Sequence, residues 1–316
     1  MNMEDFKEIV LNKNFGRYLI VTIDTEGDNC WAVSDIRSQI GTENAKYLPR
    51  FQELCEKYGF IPTYLTNYEM ANDPSYKEFG SSGLREGKLE IGAHEHAWNQ
   101  PPYFPLVKKP GKRGKPFLHE YPTPIIKEKL KVLTTVLEDT FCVPVRSHRG
   151  GRWSLSPAIV RELDALGYVV DCTCTPCVDW SVNPGWSPFK KGVDWSTYER
   201  NIMRLDYFDG FKKKKSKVIE IPVTIKRLRN NSLIWMRPNG TNRTEMLHIL
   251  KDCHEKEEGY VEFMIHSSEL MPGGSPTFSN KGKIEHLYRD LDEVFSYAKE
   301  LGYRGIGLSD YAEKLM

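Results

Sequence analysis

The sequence predicts a single domain over residues 1–316, built as a distorted (β/α) barrel of seven or eight parallel strands. Short runs rich in β-branched residues alternate with longer amphipathic segments along the whole chain, a pattern typical of βα units. The length suits one barrel-sized domain, and no linker or low-complexity tract divides the sequence. These observations favour one closed or nearly closed parallel sheet.

Eight strand-like runs are predicted, from RYLIVTID near the start to YRGIGLS near the end. They end at Asp24, Thr66, His94, Arg149, Thr173, Ile225, His266 and Ser309. Helical periodicity predicts five helices in the gaps between them. These cover residues 43–58, 124–140, 156–166, 241–256 and 282–301. Gly59, Gly167 and Gly302 follow three of the helices, as expected of glycines that end helices.

Two long stretches without periodicity, near 99–124 and 177–216, are predicted to be loop insertions. In a parallel barrel such insertions follow the carboxyl ends of strands, where active sites are built. Each contains a run of basic residues, at 108–115 and at 212–215. We expect solvated loops there, with binding of an anionic glycan or lipid headgroup as the alternative.

The overall charge excludes one class of partner. There are 44 Lys+Arg and 43 Asp+Glu residues, so the net charge of +1 offers no global field for nucleic acid. No apolar run approaches the ~20 residues of a membrane span, and the first residues lack the pattern of a secretory signal. We therefore expect a cytoplasmic protein with reduced thiols, which also suits the odd count of seven cysteines. The number of subunits stays open.

Ionisable residues occur where apolar strands end. Asp24 with Glu26, and His94 with His96, are each spaced so that both side chains point the same way from an extended chain. Carboxylate and imidazole groups at one barrel rim suit one divalent metal ion, zinc first, with a coordination position left for water. The alternatives are histidines that are merely hydrogen-bonded and acids that cap the following helix.

Five segments in order, TIDTEGD, EIGAHEHAWN, RSHRGGRW, GYVVDCTCTP and FMIHSSEL, resemble the motifs of the polysaccharide deacetylase family. This family is also called the NodB homology domain or carbohydrate esterase family 4. The stretches IEIPVTI, WMRPNG and HSSELMPGGSP resemble a branch associated with bacterial surface-glycan synthesis. The resemblance implies a metal-dependent hydrolase that removes an N-acetyl group from a sugar or glycan precursor, either nucleotide-linked or lipid-linked.

The resemblance also implies roles for three catalytic residues. Asp24 corresponds to the general base, which takes a proton from the attacking water. Arg149 corresponds to the arginine that pairs with this base and keeps it ionised near neutral pH. His266 corresponds to the general acid, which protonates the departing amine.

The expected metal ligands depart from the usual motif. His94 matches the first metal-binding histidine of the family. Thr25 stands where most members have a metal-binding Asp, so Glu26 becomes the expected carboxylate ligand. Asp28 is the alternative candidate for this ligand. The usual second histidine is replaced by Trp98, and His96 is therefore expected to supply the second imidazole.

Substrate contacts are expected from residues beside these motifs. The resemblance places Trp153 in the groove, and Asp171 and Thr173 at a strand end that shapes the pocket. Trp98, like Trp180, Trp186 and Trp195, lies in or beside the motif loops, where an indole can stack on a sugar ring or simply be buried.

Two other functions remain open from the sequence. The same site could act on another amide, such as an N-formyl sugar or a cyclic imide, because fold and family do not determine the acyl group. Alternatively, the chain could be a non-catalytic glycan-binding module without metal. The changed second motif favours this module, whereas Asp24, Arg149 and His266 oppose it.

Overall fold

A computed structural model describes residues 7–9, 16–28, 40–104 and 115–316 of the chain. Its strands are β1 (Lys7–Ile9), β2 (Tyr18–Thr25), β3 (Pro62–Thr66), β4 (Glu90–Glu95), β5 (Ser147–Gly150), β6 (Val170–Asp171), β7 (Met203–Asp209), β8 (Lys212–Glu220), β9 (Ile225–Arg227), β10 (Leu233–Trp235), β11 (Tyr260–His266) and β12 (Arg304–Gly305). Its α-helices are α1 (Leu48–Tyr58), α2 (Pro74–Arg85), α3 (Thr123–Phe141), α4 (Pro157–Leu166), α5 (Arg243–Glu255), α6 (Lys281–Glu300) and α7 (Leu308–Leu315).

A curled, mostly parallel sheet forms a distorted (β/α) barrel, as predicted. Its order is β1, β7, β8, β6, β5, β4, β3, β2, β11, with β12 also paired to β2. The strands from β8 through β6 to β11, together with β12, are parallel, whereas β7 and β1 are antiparallel to their neighbours. All their carboxyl ends therefore meet on one side.

The segment after β8 bridges the open edges of the sheet. The backbone N–H of Val223 donates to the carbonyl of Cys174, and that of Met264 donates to the carbonyl of Met236. The Glu262 N–H donates to the Thr224 hydroxyl at 2.9 Å. Irregular backbone therefore completes part of the rim in place of regular strand pairing. This is why the barrel is distorted.

The helices pack their apolar faces against the outside of the sheet. Phe295 of α6 lies edge-to-face on Phe263 of β11, with ring centroids 5.3 Å apart. The prediction that glycines end the helices is confirmed at Gly59 and Gly167, whose φ angles of 73° and 89° place them in the left-handed region. Among the described residues, no helix combines the length and apolar content needed to cross a bilayer.

Three local predictions differ from the structure. Helix α2 was not predicted, because Tyr76 and Gly80 are its buried residues and the apolar pattern is weak. The insertion at 177–216 contains strand β7, and the lysines at 212–215 lie on the exposed half of β8 rather than in a loop. A run of identical lysines shows no alternation of apolar and polar residues, so its pattern does not indicate a strand.

The last predicted strand is shorter than expected, because the chain turns into helix α7 at Leu308. Of the basic run at 108–115, Lys115 alone is described; residues 105–114 lie outside the described part. The lysine ammonium of Lys115 donates to the carbonyl of Glu120 at 3.4 Å. It also contacts the Ser187 hydroxyl, which joins the two predicted insertions.

Candidate active site

A cavity of about 290 Å³ opens at the carboxyl ends of the parallel strands. Trp180 of the second insertion lines it, and so do seven residues singled out from the sequence in or beside the motifs: Asp24, Glu26, His94, His96, Trp98, Trp153 and His266. These come from β2, β4, β5 and β11 or from the residues directly after them. Parallel pairing places Asp24 beside His266, and His94 beside Arg149, at matching positions of adjacent strands.

Glu26, His94 and His96 form a compact buried cluster. The Nε2 atom of His96 lies 2.8 Å from Oε2 of Glu26 and 3.0 Å from Nε2 of His94. The Nε2 atom of His94 lies 3.6 Å from the same glutamate oxygen. One ligand atom from each residue lies within 4.8 Å of the other two, and this is the group that can hold a metal ion among the described residues.

Hydrogen bonds orient two of these ligands. The Nδ1 atom of His94 lies 2.9 Å from the Arg149 carbonyl, so a proton on Nδ1 leaves Nε2 as the acceptor that faces the cluster. The backbone of Glu26 is clamped by Ser267, whose hydroxyl accepts from the Glu26 N–H at 3.0 Å and donates to its carbonyl at 3.1 Å. Asn44 donates to that carbonyl at 2.7 Å.

The positions of Trp98 and Asp28 clarify the departures from the usual motif. The indole of Trp98 stacks on the His96 ring, with centroids 4.4 Å apart and an interplanar angle of 18°. The carboxylate of Asp28 accepts from the backbone N–H groups of Glu43 and Asn44, both at 2.9 Å. Asp28 thus holds the short 3₁₀-helix Glu43–Tyr47, while Glu26 faces the two histidines.

The donor set fits a divalent ion. Two imidazole nitrogens and one carboxylate oxygen converge from buried side chains, which is a composition that zinc sites with an open position share. His94 is held by a carbonyl, as metal-binding histidines usually are. Both observations support the predicted ligands Glu26, His94 and His96.

Asp24 is fully buried and paired with Arg149. The Nη1 atom of Arg149 donates to Oδ1 of Asp24 at 2.5 Å, and the same guanidinium contacts Glu262 on β11. Burial raises the pKa of Asp24, but Arg149 together with His94 and His266 more than offsets this and lowers it below the usual value. Oδ2 of Asp24 lies 4.0 Å from Nε2 of His94, beside the cluster.

His266 faces Asp24 from the neighbouring strand. Its Nε2 atom lies 3.7 Å from Oδ2 of Asp24, while Nδ1 lies 3.1 Å from Oε2 of Glu269. Arg237 donates to Oε1 of Glu269 at 3.1 Å. Burial raises the pKa of Glu269, but Arg237 and His266 outweigh it and lower the pKa to about 2. Glu269 is therefore ionised and suited to accept the Nδ1 proton of His266.

Asp171 and Thr173 are not among the residues that line the cavity. Oδ2 of Asp171 lies 2.5 Å from Nδ1 of His148, whose Nε2 lies 2.8 Å from Oε2 of Glu95. The hydroxyl of Thr173 accepts from the Gly150 N–H at 2.8 Å. Both residues are completely buried and outside the cavity lining, which favours a supporting role next to the site, and the substrate contact expected from the sequence stays a prediction.

Aromatic rings flank the cavity. Trp153 and Trp180 stack with centroids 6.2 Å apart and an interplanar angle of 17°, and both line the cavity. Trp195 is buried beneath them, with its indole N–H directed to the Trp153 carbonyl at 3.3 Å. Trp186 does not line the cavity. Three of the candidate stacking residues, Trp98, Trp153 and Trp180, thus reach the open space.

Sequence reasoning missed several lining or supporting residues. Phe117, Arg152, Asn183 and Arg237 line the cavity, and Glu262 and Glu269 support Arg149 and His266. Glu262 left a detectable signal, because a charged residue inside the apolar strand YVEFMIH requires a buried partner. The others lie in segments without periodicity.

No family model matches the sequence, and no curated protein matches it either. Similar solved structures do exist. A putative polysaccharide deacetylase from Mycobacterium smegmatis is 13% identical with a TM-score of 0.54, covering 98% of this chain and 93% of that one. A 4-alpha-glucanotransferase from Thermococcus litoralis is 14% identical with a TM-score of 0.53, covering 95% of this chain and 38% of that one. A CE4 family pseudoenzyme from Bacillus anthracis is 10% identical with a TM-score of 0.45, covering 95% and 66%.

The two structures with TM-scores above 0.5 establish the fold. The chain has the NodB fold that polysaccharide deacetylases of the CE4 family adopt. Because a glucanotransferase matches about equally well, the fold does not by itself determine the reaction. The function must be argued from the side chains in the cavity.

Proposed function

We propose that this protein is a metal-dependent hydrolase that removes the acetyl group from an acetamido sugar. One observation carries the proposal: Asp24 lies between the Glu26–His94–His96 cluster and His266. A base and an acid thus face each other beside a group of metal ligands. A module that only binds glycans has no need of this arrangement.

Glu26, His94 and His96 would hold one divalent ion, zinc being the first candidate for two imidazoles and a carboxylate. When bound, such an ion polarises an amide carbonyl and lowers the pKa of a water molecule towards ~7. The remaining chemistry falls to the residues around the cluster.

Asp24 acts as the general base and accepts the proton of the attacking water. Arg149 holds one carboxylate oxygen at 2.5 Å, which leaves the other oxygen directed towards the cavity. The lowered pKa of Asp24 means that the carboxylate is ionised and ready to accept a proton at neutral pH.

His266 acts as the general acid and protonates the amine as the carbon–nitrogen bond breaks. Glu269 accepts from the Nδ1 side of the ring and stabilises the imidazolium, so the transferable proton lies on Nε2, which faces Asp24. Arg237 keeps Glu269 in place through the 3.1 Å hydrogen bond. The base therefore accepts a proton and the acid donates one within the same cavity.

The substrate proposal rests on the aromatic wall. The faces of Trp153 and Trp180 are suited to stacking against pyranose rings, whose C–H groups form apolar patches. The sequence resemblance to surface-glycan deacetylases supports a glycan precursor, either nucleotide-linked or lipid-linked. Trp98 is engaged with His96, so it shapes the floor of the cavity.

The direct test is to incubate zinc-loaded protein with N-acetylated sugars and measure acetate and free amine together. We expect equal amounts of both products from wild type and none from Asp24→Asn. Release of formate from an N-formyl sugar, or hydrolysis of a cyclic imide, without any acetate would assign the site to another amide. Glycan binding without hydrolysis of any amide would identify a binding module.

A further inference from the structure

Arg152 is an unmatched cation at the rim of the cavity. Its side chain is exposed and lines the cavity, and its guanidinium carbon lies 5.3 Å from the centre of the Phe117 ring. In the part of the chain that the structure describes, Arg152 forms no ion pair. By contrast, Arg149 contacts Asp24 and Arg237 contacts Glu269.

Glu120 is the carboxylate that acts on Arg152 electrostatically, but its oxygens already accept hydrogen bonds from other groups. Glu120 accepts hydrogen bonds from the backbone N–H groups of Phe117 at 3.1 Å and of Trp186 and Ser187 at 2.7 Å. The charge of Arg152 is therefore available to an external group.

The backbone presents Arg152 to the cavity at a conformational cost. Arg152 has φ 56° and ψ 29°, and Trp153 has φ 59°, both in the left-handed region that residues with a side chain rarely adopt. Such strain persists where surrounding structure imposes it, and it is concentrated at functional sites. Here it turns two consecutive side chains, one cationic and one aromatic, into the same cavity.

Gly151 holds this strained turn against the metal ligands. A Cβ atom at position 151 would lie 2.2 Å from the Glu95 carbonyl oxygen and 2.9 Å from Cδ2 of His96. The residue before Arg152 therefore packs directly on His96. The Arg152 side chain therefore lines the same cavity as the cluster, next to the turn that packs on His96.

We infer that Arg152 binds an anionic group, phosphate or carboxylate, carried by the acetamido sugar or by the unit joined to it. This inference rests on the proposed function, because it adds a charge requirement to the same substrate. The planar guanidinium offers paired N–H donors that match both phosphate and carboxylate oxygens. The stacked indoles hold the ring, and Arg152 selects for its charge.

The test compares three substrates with zinc-loaded protein. They are neutral N-acetylglucosamine, N-acetylglucosamine 1-phosphate and N-acetylmuramic acid, which carry no charge, a phosphate and a carboxylate. We expect the wild-type kcat/KM to be at least about tenfold higher for one anionic sugar, the size typical of a charge-assisted hydrogen bond. The anionic sugar with the higher kcat/KM shows whether Arg152 binds a phosphate or a carboxylate. Arg152→Gln should bring the ratio of anionic to neutral kcat/KM close to one.

Two matched variants accompany Arg152→Gln. Arg152→Lys keeps the charge without the paired donors, so its ratio should fall between those of wild type and Arg152→Gln. Lys190→Gln removes an exposed cation that does not line the cavity, and it should retain the wild-type ratio. An equal loss of the ratio in Lys190→Gln would point to a general field and overturn the inference.

The failure of the inference differs from failure of the proposed function. If wild type hydrolyses neutral and anionic sugars equally and Arg152→Gln behaves alike, Arg152 has no role in selection and the deacetylase proposal stands. If no sugar is hydrolysed, the deacetylase proposal fails, and calorimetric dissociation constants of the three sugars decide the inference. At least tenfold tighter anion binding that is lost in Arg152→Gln supports it, and equal or absent binding overturns it.

Discussion

The Nε2 atom of His96 lies 2.8 Å from Oε2 of Glu26, although His96 stands two residues after His94 instead of the usual four. Strand β4 carries His94 and ends at Glu95, directly before His96, and residues two apart on extended backbone point to the same face. Trp98 occupies the usual position and stacks on the His96 ring. Trp98 thus packs against the histidine that we propose as the second imidazole ligand.

Removal of His96 should remove the metal. We expect about one zinc ion per wild-type chain after dialysis and a large loss in His96→Ala or His94→Ala, because a site with two remaining protein ligands binds weakly. The measurement is elemental analysis of the purified protein. His286→Ala is the control, since His286 is exposed on helix α6 and remote from the ligand group. Wild-type zinc content in His96→Ala would contradict the assigned ligand set.

Asp24→Asn should abolish catalysis without releasing metal. The amide cannot accept the proton of the attacking water, so kcat should fall by about 10² to 10⁴. Acetate release and zinc content are measured on the same sample. The control is Asp28→Asn, which weakens the cap of a short helix while leaving the cavity intact. An active Asp24→Asn enzyme would exclude Asp24 as the base.

The central site residues were predictable because local geometry determines them. Asp24, His94 and His266 end apolar strands, and the parallel arrangement brings such ends together. Arg237 and Glu269 were not predictable, because each lies in a short segment after a strand, Arg237 after β10 and Glu269 in a 3₁₀-helix after β11, and their pairing depends on the tertiary fold. Asp171 illustrates the limit in the other direction: it ends a strand, yet its carboxylate bonds His148, which is adjacent to Arg149 on β5 and points to the opposite face of the sheet.

The prediction of secondary structure likewise succeeded where local pattern decides and failed where tertiary contacts decide. The strands with apolar alternation were found, whereas α2, β7 and the exposed first half of β8 were missed because tertiary contacts define them. The tryptophans of the insertion could be named as candidates from composition. Which of them face the cavity depends on long-range packing between Trp153 and Trp180.

Glu269→Gln should slow catalysis by weakening the imidazolium of His266. A neutral amide stabilises the charged ring less than the carboxylate of Glu269, whose pKa is lowered to about 2, so His266 becomes a less effective proton donor. We expect kcat to fall by about tenfold or more, with a smaller change in KM. The pH profile of kcat should differ from that of wild type, and Glu269→Asp should restore part of the wild-type profile. An unchanged profile would show that Glu269 serves only the fold.

His148 should make stability depend on pH. Burial lowers its pKa, but hydrogen bonds with Asp171 and Glu95 outweigh burial and raise it to about 9. In the unfolded chain a histidine titrates near 6.5, so folding favours the protonated ring. The resulting stabilisation is complete below about pH 6.5 and is lost as the pH rises through about 9.

The difference of about 2.5 pKa units corresponds to roughly 3 kcal/mol of unfolding free energy. Urea unfolding at pH 6, 7, 8 and 9 measures this loss in wild type. The His148→Gln variant cannot be protonated, so its unfolding free energy should be lower at pH 6 and should approach that of wild type at pH 9. His286→Gln, which alters an exposed imidazole, should reproduce the wild-type slope. Parallel curves for wild type and His148→Gln would mean that the Glu95–His148–Asp171 chain holds no extra proton in the folded state.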